Sequence, residues 1–389
     1  MEAARFTRTD FGTVVKTPGQ YGFNTFLPAP LPRALDLTDL TVSLLSDADR
    51  AIGRLAGAGR LLPNPHLLVN AYIRREAVAS SRIEGTQATL SEVFEAESSG
   101  RQLSGDIQEV ANYIKAMEEG LQSLTSLPIS RRLLEQIHAI LLAGVRGHER
   151  SRGETRRSPN WIGSPDNSPT SAIFVPPPYD DMEVGLADWE NFVHEDMRMP
   201  PLIRCALLHY QFETLHPFLD GNGRLGRLLI IFFLISEGHL PSPLLYVSTY
   251  FEEHKGEYYD KLQAVRERAE INEWLQFFLG AVTTQANDAV WRAEELTDRR
   301  EEYRKRLHGS RSRAHELLDQ LLENPFITTS MARRRLGVSS QGATNLLRQL
   351  EQLGIIEPAQ RVAGRSLRWV ARDIYDTLTG SNTQAPAAR

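Results

Sequence analysis

His216-Pro217-Phe218-Leu219-Asp220-Gly221-Asn222-Gly223-Arg224-Leu225-Gly226-Arg227 reads as an anion cradle that runs directly into a helix. Gly221, Asn222 and Gly223 make a turn few other residue types could hold. Such a turn at a helix start gathers several backbone N–H groups into one concavity, and the helix dipole adds partial positive charge. Arg224 and Arg227 follow at i, i+3, which puts both guanidinium groups on one helical face above that concavity. Two Arg forks beside an N–H nest suit a polyphosphate. Asp220 is placed to hold Mg²⁺ on those phosphates, because this metal takes one or two carboxylates together with phosphate oxygens. His216, at the entrance, is the natural general base for an incoming hydroxyl.

The stretch resembles the active-site motif of the Fic family, H-x-F-x-[DE]-G-N-G-R-x-x-R, at every specified position. The resemblance implies a mainly α fold: a Fic-type helical core with a small β-hairpin flap. It also implies an enzyme that moves AMP from ATP onto a Ser, Thr or Tyr hydroxyl of a target protein. His216 would be the base and Asp220 the Mg²⁺ carboxylate. Gly221, Asn222, Gly223 and Arg224 would form the phosphate loop, completed by Arg227. Phe218 would anchor the loop in the core, a role its apolar ring between polar neighbours supports by itself.

Upstream, Ser80-Ser-Arg-Ile-Glu84-Gly85 is by its residues an ordinary helix end. By resemblance, Ser80, Glu84 and Gly85 fit the family's inhibitory pattern [ST]-x-x-x-E-[GN]. A Glu84 reaching Arg227 would form a charge-assisted bidentate pair and occupy the fork meant for the γ-phosphate. Between Gly144 and Tyr179 the chain is irregular, as functional loops are. Within it Ser171-Ala172-Ile173-Phe174-Val175 is a short β-prone run closed by three prolines. The matching place in the family is a flap that takes a target polypeptide as an added strand. Downstream, Tyr258-Tyr259 matches a Tyr-Tyr pair of the family, and Tyr258 is expected to meet the nucleoside.

Around these motifs the chain is ordinary globular protein. Its 389 residues, 41% hydrophobic and 24% charged, have room for two or three domains. One cysteine, Cys205, excludes an intrachain disulfide and a cysteine zinc site, and ten histidines show no metal-ligand spacing. The N-terminus lacks a signal-peptide core and no apolar run spans a bilayer, so a cytoplasmic protein with no membrane partner is expected. Residues 1 to about 34, with prolines at 18, 28, 30 and 32, are expected to be an extended arm, and helical periodicity starts at Thr38. The expected division is an N-terminal region at 1–100, a catalytic core at 101–295, a C-terminal module at 310–378 and a disordered tail at 379–389.

The C-terminal module reads as a winged helix-turn-helix: helices ending at Leu336 and spanning Gln341–Leu353, then two strands around a wing at Val362 to Arg365. From Ile327 to Val370 seven Arg face two Glu, a net of +5 in a chain whose total is −5. That contrast suits DNA. Winged helices serve protein contacts as well, so DNA and a homodimer stay open as partners. Three readings compete: an adenylyltransferase restrained by Glu84; a DNA-binding regulator using the Fic domain as a nucleotide sensor; and a phosphate-transferring or de-AMPylating enzyme. The intact His216 speaks against a pure sensor. Gly223, where kinase-like relatives carry Lys, speaks against a kinase.

Overall fold

The computed structural model describes residues 1–18, 22–61, 65–99, 103, 105–145, 147, 149, 151–308, 312–359 and 368–380. Within them the chain opens with strands β1 (Gly12–Lys16) and β2 (Asn24–Pro28) and helices α1 (Asp39–Leu61), α2 (Pro65–Ile83), α3 (Leu90–Ser99), α4 (Gly105–Ser123) and α5 (Arg131–Leu141). After the irregular stretch come α6 (Tyr179–His194), α7 (Pro201–Leu215), α8 (Asn222–Ser236), α9 (Ser248–Glu253), α10 (Lys255–Arg268) and α11 (Ile271–Arg306). The C-terminal part holds α12 (Leu318–Glu323), β3 (Phe326–Thr328), α13 (Thr329–Leu336), α14 (Ser340–Gln352), β4 (Glu357–Pro358), β5 (Arg368–Val370) and α15 (Arg372–Thr379).

Local chemistry explains several boundaries. Pro201 starts α7 at a position where no helical N–H is needed. Thr89 and Glu92 form a reciprocal capping box at the start of α3, with backbone-to-side-chain bonds of 2.8 and 3.2 Å. Thr328 and Ser339 cap α13 and α14 through their hydroxyls. Near the centre, α7 and α8 pack together with almost every side chain buried, so they form the inner layer. Around them α1 runs along α11, and α2 lies against α4 and α9. The loop between α7 and α8, held between two buried helices, carries the cradle.

Three regions depart from the sequence expectation. The N-terminal arm is a paired hairpin: β1 and β2 are antiparallel, from Gly12 opposite Pro28 to Lys16 opposite Asn24. Phe26 of β2 also donates to the Val175 carbonyl at 3.0 Å, and Phe26, Phe174, Val175, Ala172 and Met1 form a small hydrophobic cluster of their own. Helix α11 runs past the expected core boundary at 295, to Arg306. Thr379, expected to start the tail, ends helix α15.

The C-terminal sheet has the order β3-β5-β4, all antiparallel, beside α13 and α14. The expected wing at Val362 to Arg365 and the tail beyond Gly380 lie outside the described residues. This part is seated on the helices that precede the core. The Asn324 side chain donates to the Phe94 carbonyl at 3.1 Å, and Arg368 pairs with Glu95 of α3 at 2.7 Å. Arg292 of α11 donates to the Thr377 and Gly380 carbonyls at the end of α15 while pairing with Asp288. Among the described residues no helix is long and apolar enough to cross a membrane.

Candidate active site

The cradle is locked from within. Asn222 folds back on the loop, its Oδ1 accepting from the Phe218 N–H at 2.9 Å and its Nδ2 donating to the Phe218 carbonyl at 2.8 Å. Gly221 sits at φ +78°, which a residue with a side chain rarely adopts, and donates to the Asp220 carboxylate at 2.7 Å. Phe218 is fully buried and stacks on His138 of α5, centroids 3.9 Å apart. That imidazole donates from Nε2 to the Asp220 carbonyl at 3.0 Å and accepts at Nδ1 from the Gly153 N–H at 2.9 Å. Burial pushes its pKa down to about 4, so it is a neutral brace.

His216 closes α7 in the left-handed conformation, φ 47°, ψ 60°. This geometry turns the chain sharply where the cradle begins, and His216 is half-buried there. Burial first, and the positive charge of Arg156 second, push its pKa down to about 4. The imidazole is therefore neutral near pH 7 and free to accept a proton.

Opposite His216, the end of α2 lies on the cradle. Arg227, itself 1% exposed, donates from Nε to the Ser80 hydroxyl at 2.8 Å. Its Nη2 serves both the Ser80 carbonyl at 2.9 Å and Glu84 Oε1 at 2.7 Å. Glu84 therefore takes one tooth of the fork, where the sequence suggested a bidentate pair, because Ser80 holds the other face. The carboxylate also reaches the first turn of α8. A Cβ built on Gly223 would collide with Glu84 Oε1. Burial works against the Glu84 charge, yet Arg227, with Arg224 and His216 behind it, holds the carboxyl below its usual range. Gly85, at φ +100°, then turns the chain away.

Residues 42–122 match the Fic/DOC family N-terminal region and residues 128–234 match the Fic/DOC family itself. Over these residues the chain is similar to the Fic/DOC family. It is a distant homologue of enzymes named protein adenylyltransferase Fic: 28% identical over 171 residues to that of Culex quinquefasciatus, and 24% over 221 residues to that of Drosophila grimshawi. Those matches cover 43% and 55% of this chain but only 31% and 42% of the relatives' own length. The fold is shared with a Fic family protein from Desulfovibrio desulfuricans G20, TM-score 0.55 at 24% identity, covering 87% of this chain and 97% of that one. Fic-1 (residues 134–508) of C. elegans aligns with TM-score 0.51 at 19% identity, over 67% of this chain and 74% of its own.

Within the Fic core the two motif arginines diverge. Arg227 meets α2, whereas Arg224 turns to Glu109 of α4 at 3.1 Å and comes within 3.7 Å of Asp220. Tyr258 departs from its expected nucleoside role. Its ring is 1% exposed and its hydroxyl bonds the buried His209 at 2.8 Å, deep in an aromatic cluster. Tyr259, 41% exposed, is the ring of the pair that a ligand can reach. At the place expected for a flap there is a single antiparallel bridge, Ile162 to Phe174. Ala172, Phe174 and Val175 are buried and only Ile173 presents its side chain, because β2 covers the Val175 side.

Asp220, with its side chain 29% exposed, fits a Mg²⁺ shared with substrate phosphates, and among the described residues no three His, Cys, Asp or Glu converge to hold a metal by themselves. The Glu84 carboxylate lies over Gly223 and on Arg227. Several working residues carry no recognisable signal in the sequence. Besides His138, Asn160 donates to the carbonyls of His216 and Phe218 at 3.3 and 2.9 Å. Glu213 lies buried three residues before His216, with its carboxyl pushed up to about 7 by burial.

Proposed function

We propose that this chain is a protein adenylyltransferase restrained by its own Glu84. The observation that carries the reading is the Glu84 carboxylate, held at 2.7 Å by Arg227 and lying over Gly223 at the head of α8. When Glu84 withdraws, the N-terminal N–H groups of α8 and the Arg227 guanidinium are left to receive the phosphates of ATP. Asp220 would hold Mg²⁺, which supplies neutralising charge on the phosphates. The target hydroxyl oxygen attacks the α-phosphorus, the bridge to the β-phosphate breaks, and pyrophosphate leaves. His216 takes the hydroxyl proton. With Glu84 in place ATP still has much of its cradle, but its phosphates are displaced from in-line geometry.

Incubation with ATP labelled at the α-phosphate tests this, with the protein alone and with cell lysate. Glu84→Gly should raise protein labelling about 10- to 100-fold, the worth of one charge-assisted hydrogen bond. Glu84→Gly/His216→Ala should be silent, and γ-labelled ATP should leave no label on protein. Equal labelling in wild type and Glu84→Gly at every ATP concentration would sink the restraint. Loss of a wild-type ability to strip label from modified protein in Glu84→Gly would point instead to a de-AMPylating phosphodiesterase.

For the C-terminal module the proposed reading is a winged helix that contacts DNA. Arg333, Arg334, Arg335 and Arg348 are exposed on α13 and α14, while Arg368 is turned inward to Glu95. A fluorescent duplex should bind with an affinity that falls steeply with salt. No binding at low salt would leave self-assembly, and with it the homodimer, as the module's role.

A further inference from the structure

Arg156 is a buried cation without an anion. It is 1% exposed, and no carboxylate among the described residues pairs with it, although buried charges are nearly always paired. Its donors go entirely to backbone carbonyls. Nε meets His216 at 2.8 Å, Nη2 meets Pro177 at 2.6 Å and Leu215 at 3.2 Å, and Nη1 meets Ser158 at 3.4 Å. Its own N–H donates to the Pro217 carbonyl at 2.8 Å.

Those acceptors explain why the charge is tolerated. Leu215 ends α7 and His216 is its C-cap, where carbonyls have no partner within the helix. A cation there also faces the negative end of the helix dipole. Pro177 is the foot of the flap. One side chain therefore joins three things: the end of α7, the loop that carries the base, and the root of the flap. It does so where His216 is held at φ 47°, a strained conformation for a residue with a side chain.

We propose that Arg156 is a positioning residue for the transfer reaction, fixing the backbone of His216 so that its ring stays aimed at the mouth of the cradle while tying that aim to the flap. It rests on His216 being the general base. A second effect follows from the charge. The groups that bear on the His216 ring are Arg156, Arg266 of α10 and Glu84 beyond α2, with Nδ1 turned toward the Glu213 carbonyl without a full hydrogen bond. After burial, Arg156 is the main influence keeping that ring unprotonated into the acid range.

The test uses the full chain carrying Glu84→Gly, with Arg156→Gln and Arg156→Lys added singly. Arg156→Gln keeps two donors, loses the charge, and should lower kcat about 10- to 100-fold with KM for ATP within about twofold, since a small misplacement of the base is enough. Its acid limb, near pH 4 in the parent, should move up by about one unit. Arg156→Lys should lower kcat but leave the acid limb in place. NMR titration of the His216 ring in the wild-type and Arg156→Gln proteins reads the same shift without any activity. Equal His216 midpoints in these two would overturn the proposal, leaving Arg156 as a helix cap only. A rise in KM at unchanged kcat in Arg156→Lys would overturn it too, and needs only the variant that keeps the charge. If the midpoint moves but Glu84→Gly labels no protein, the transferase reading fails and the positioning of His216 stands.

Discussion

The cradle from Phe218 to Arg227 and the segment from Ser80 to Gly85 meet at one guanidinium but are built on opposite principles. The cradle supports itself: Asn222 bonds both polar groups of Phe218, Gly221 bonds Asp220, and His138 and Asn160 brace the loop from behind. Ser80 and Glu84 are seated on α8 through Arg227, and the Glu84 side chain keeps 30% of its surface exposed. A binding loop works best when it is rigid before the ligand arrives, since ordering it on binding weakens affinity. On the proposed reading Glu84 is an inhibitor that must leave, and its partly exposed carboxylate makes a single hydrogen bond to Arg227.

The contrast can be broken most forcefully at the base. In the Glu84→Gly background, His216→Ala should lower labelling about 10²- to 10⁴-fold with nucleotide binding intact by calorimetry. Undiminished labelling would take His216 out of the chemistry. Next in size, Asn222→Ala leaves the Phe218 N–H and carbonyl without their side-chain partner in the interior. It should lower stability by about 1–3 kcal/mol in urea unfolding and abolish nucleotide binding. If neither changes, the cradle is not self-supporting. Ser80→Ala removes one bond to Arg227 and should release labelling by no more than about tenfold. A larger rise would mean that Ser80, not Glu84, holds the segment down.

A further test is in pH. Burial holds His138 and His216 at about 4, against an ordinary value of 6.5. Between those values the unfolded chain binds more protons than the folded one, so stability should fall as pH drops from 6.5 and level off near 4. His138→Phe removes one of the two groups and should flatten that slope, whatever it does to absolute stability. An unchanged slope would mean that His138 is not buried in its neutral form.

The cradle was legible because its chemistry is local. A nest, a carboxylate, a base and two arginines fall within twelve residues, and neighbours in sequence are neighbours in the loop. The contact of Glu84 with Arg227 spans 143 residues and left no trace except through family resemblance. Even then the number of bonds was beyond reach, because Ser80 competes for the same fork. His138, Asn160 and Arg156 were missed for the same reason: each acts on the loop from a distant segment through backbone carbonyls, which carry no side-chain signature. Tyr258 misled because adjacent residues on a helix face different ways, and the sequence does not say which of a pair points inward. Helix α3 had a readable signal in Thr89 and Glu92. Helix α15 did not, since Asp373, Tyr375 and Asp376 give it a polar look and its burial depends on what Ile374 and Leu378 find beneath them.

Because Glu84 reaches the nest on the same polypeptide, its encounter with Arg227 is intramolecular and set by the fold. On the proposed reading, that restraint is the same however much of the protein is present. Each 1.4 kcal/mol by which the seat of α2 is loosened shifts the open fraction about tenfold while that fraction is small. Helix α2 is also packed against α12 and α15 of the C-terminal part, so that module touches the scaffold on which Glu84 is mounted. If Glu84 restrains the site as proposed, a modest bias at that module would change how often Arg227 stands free of it.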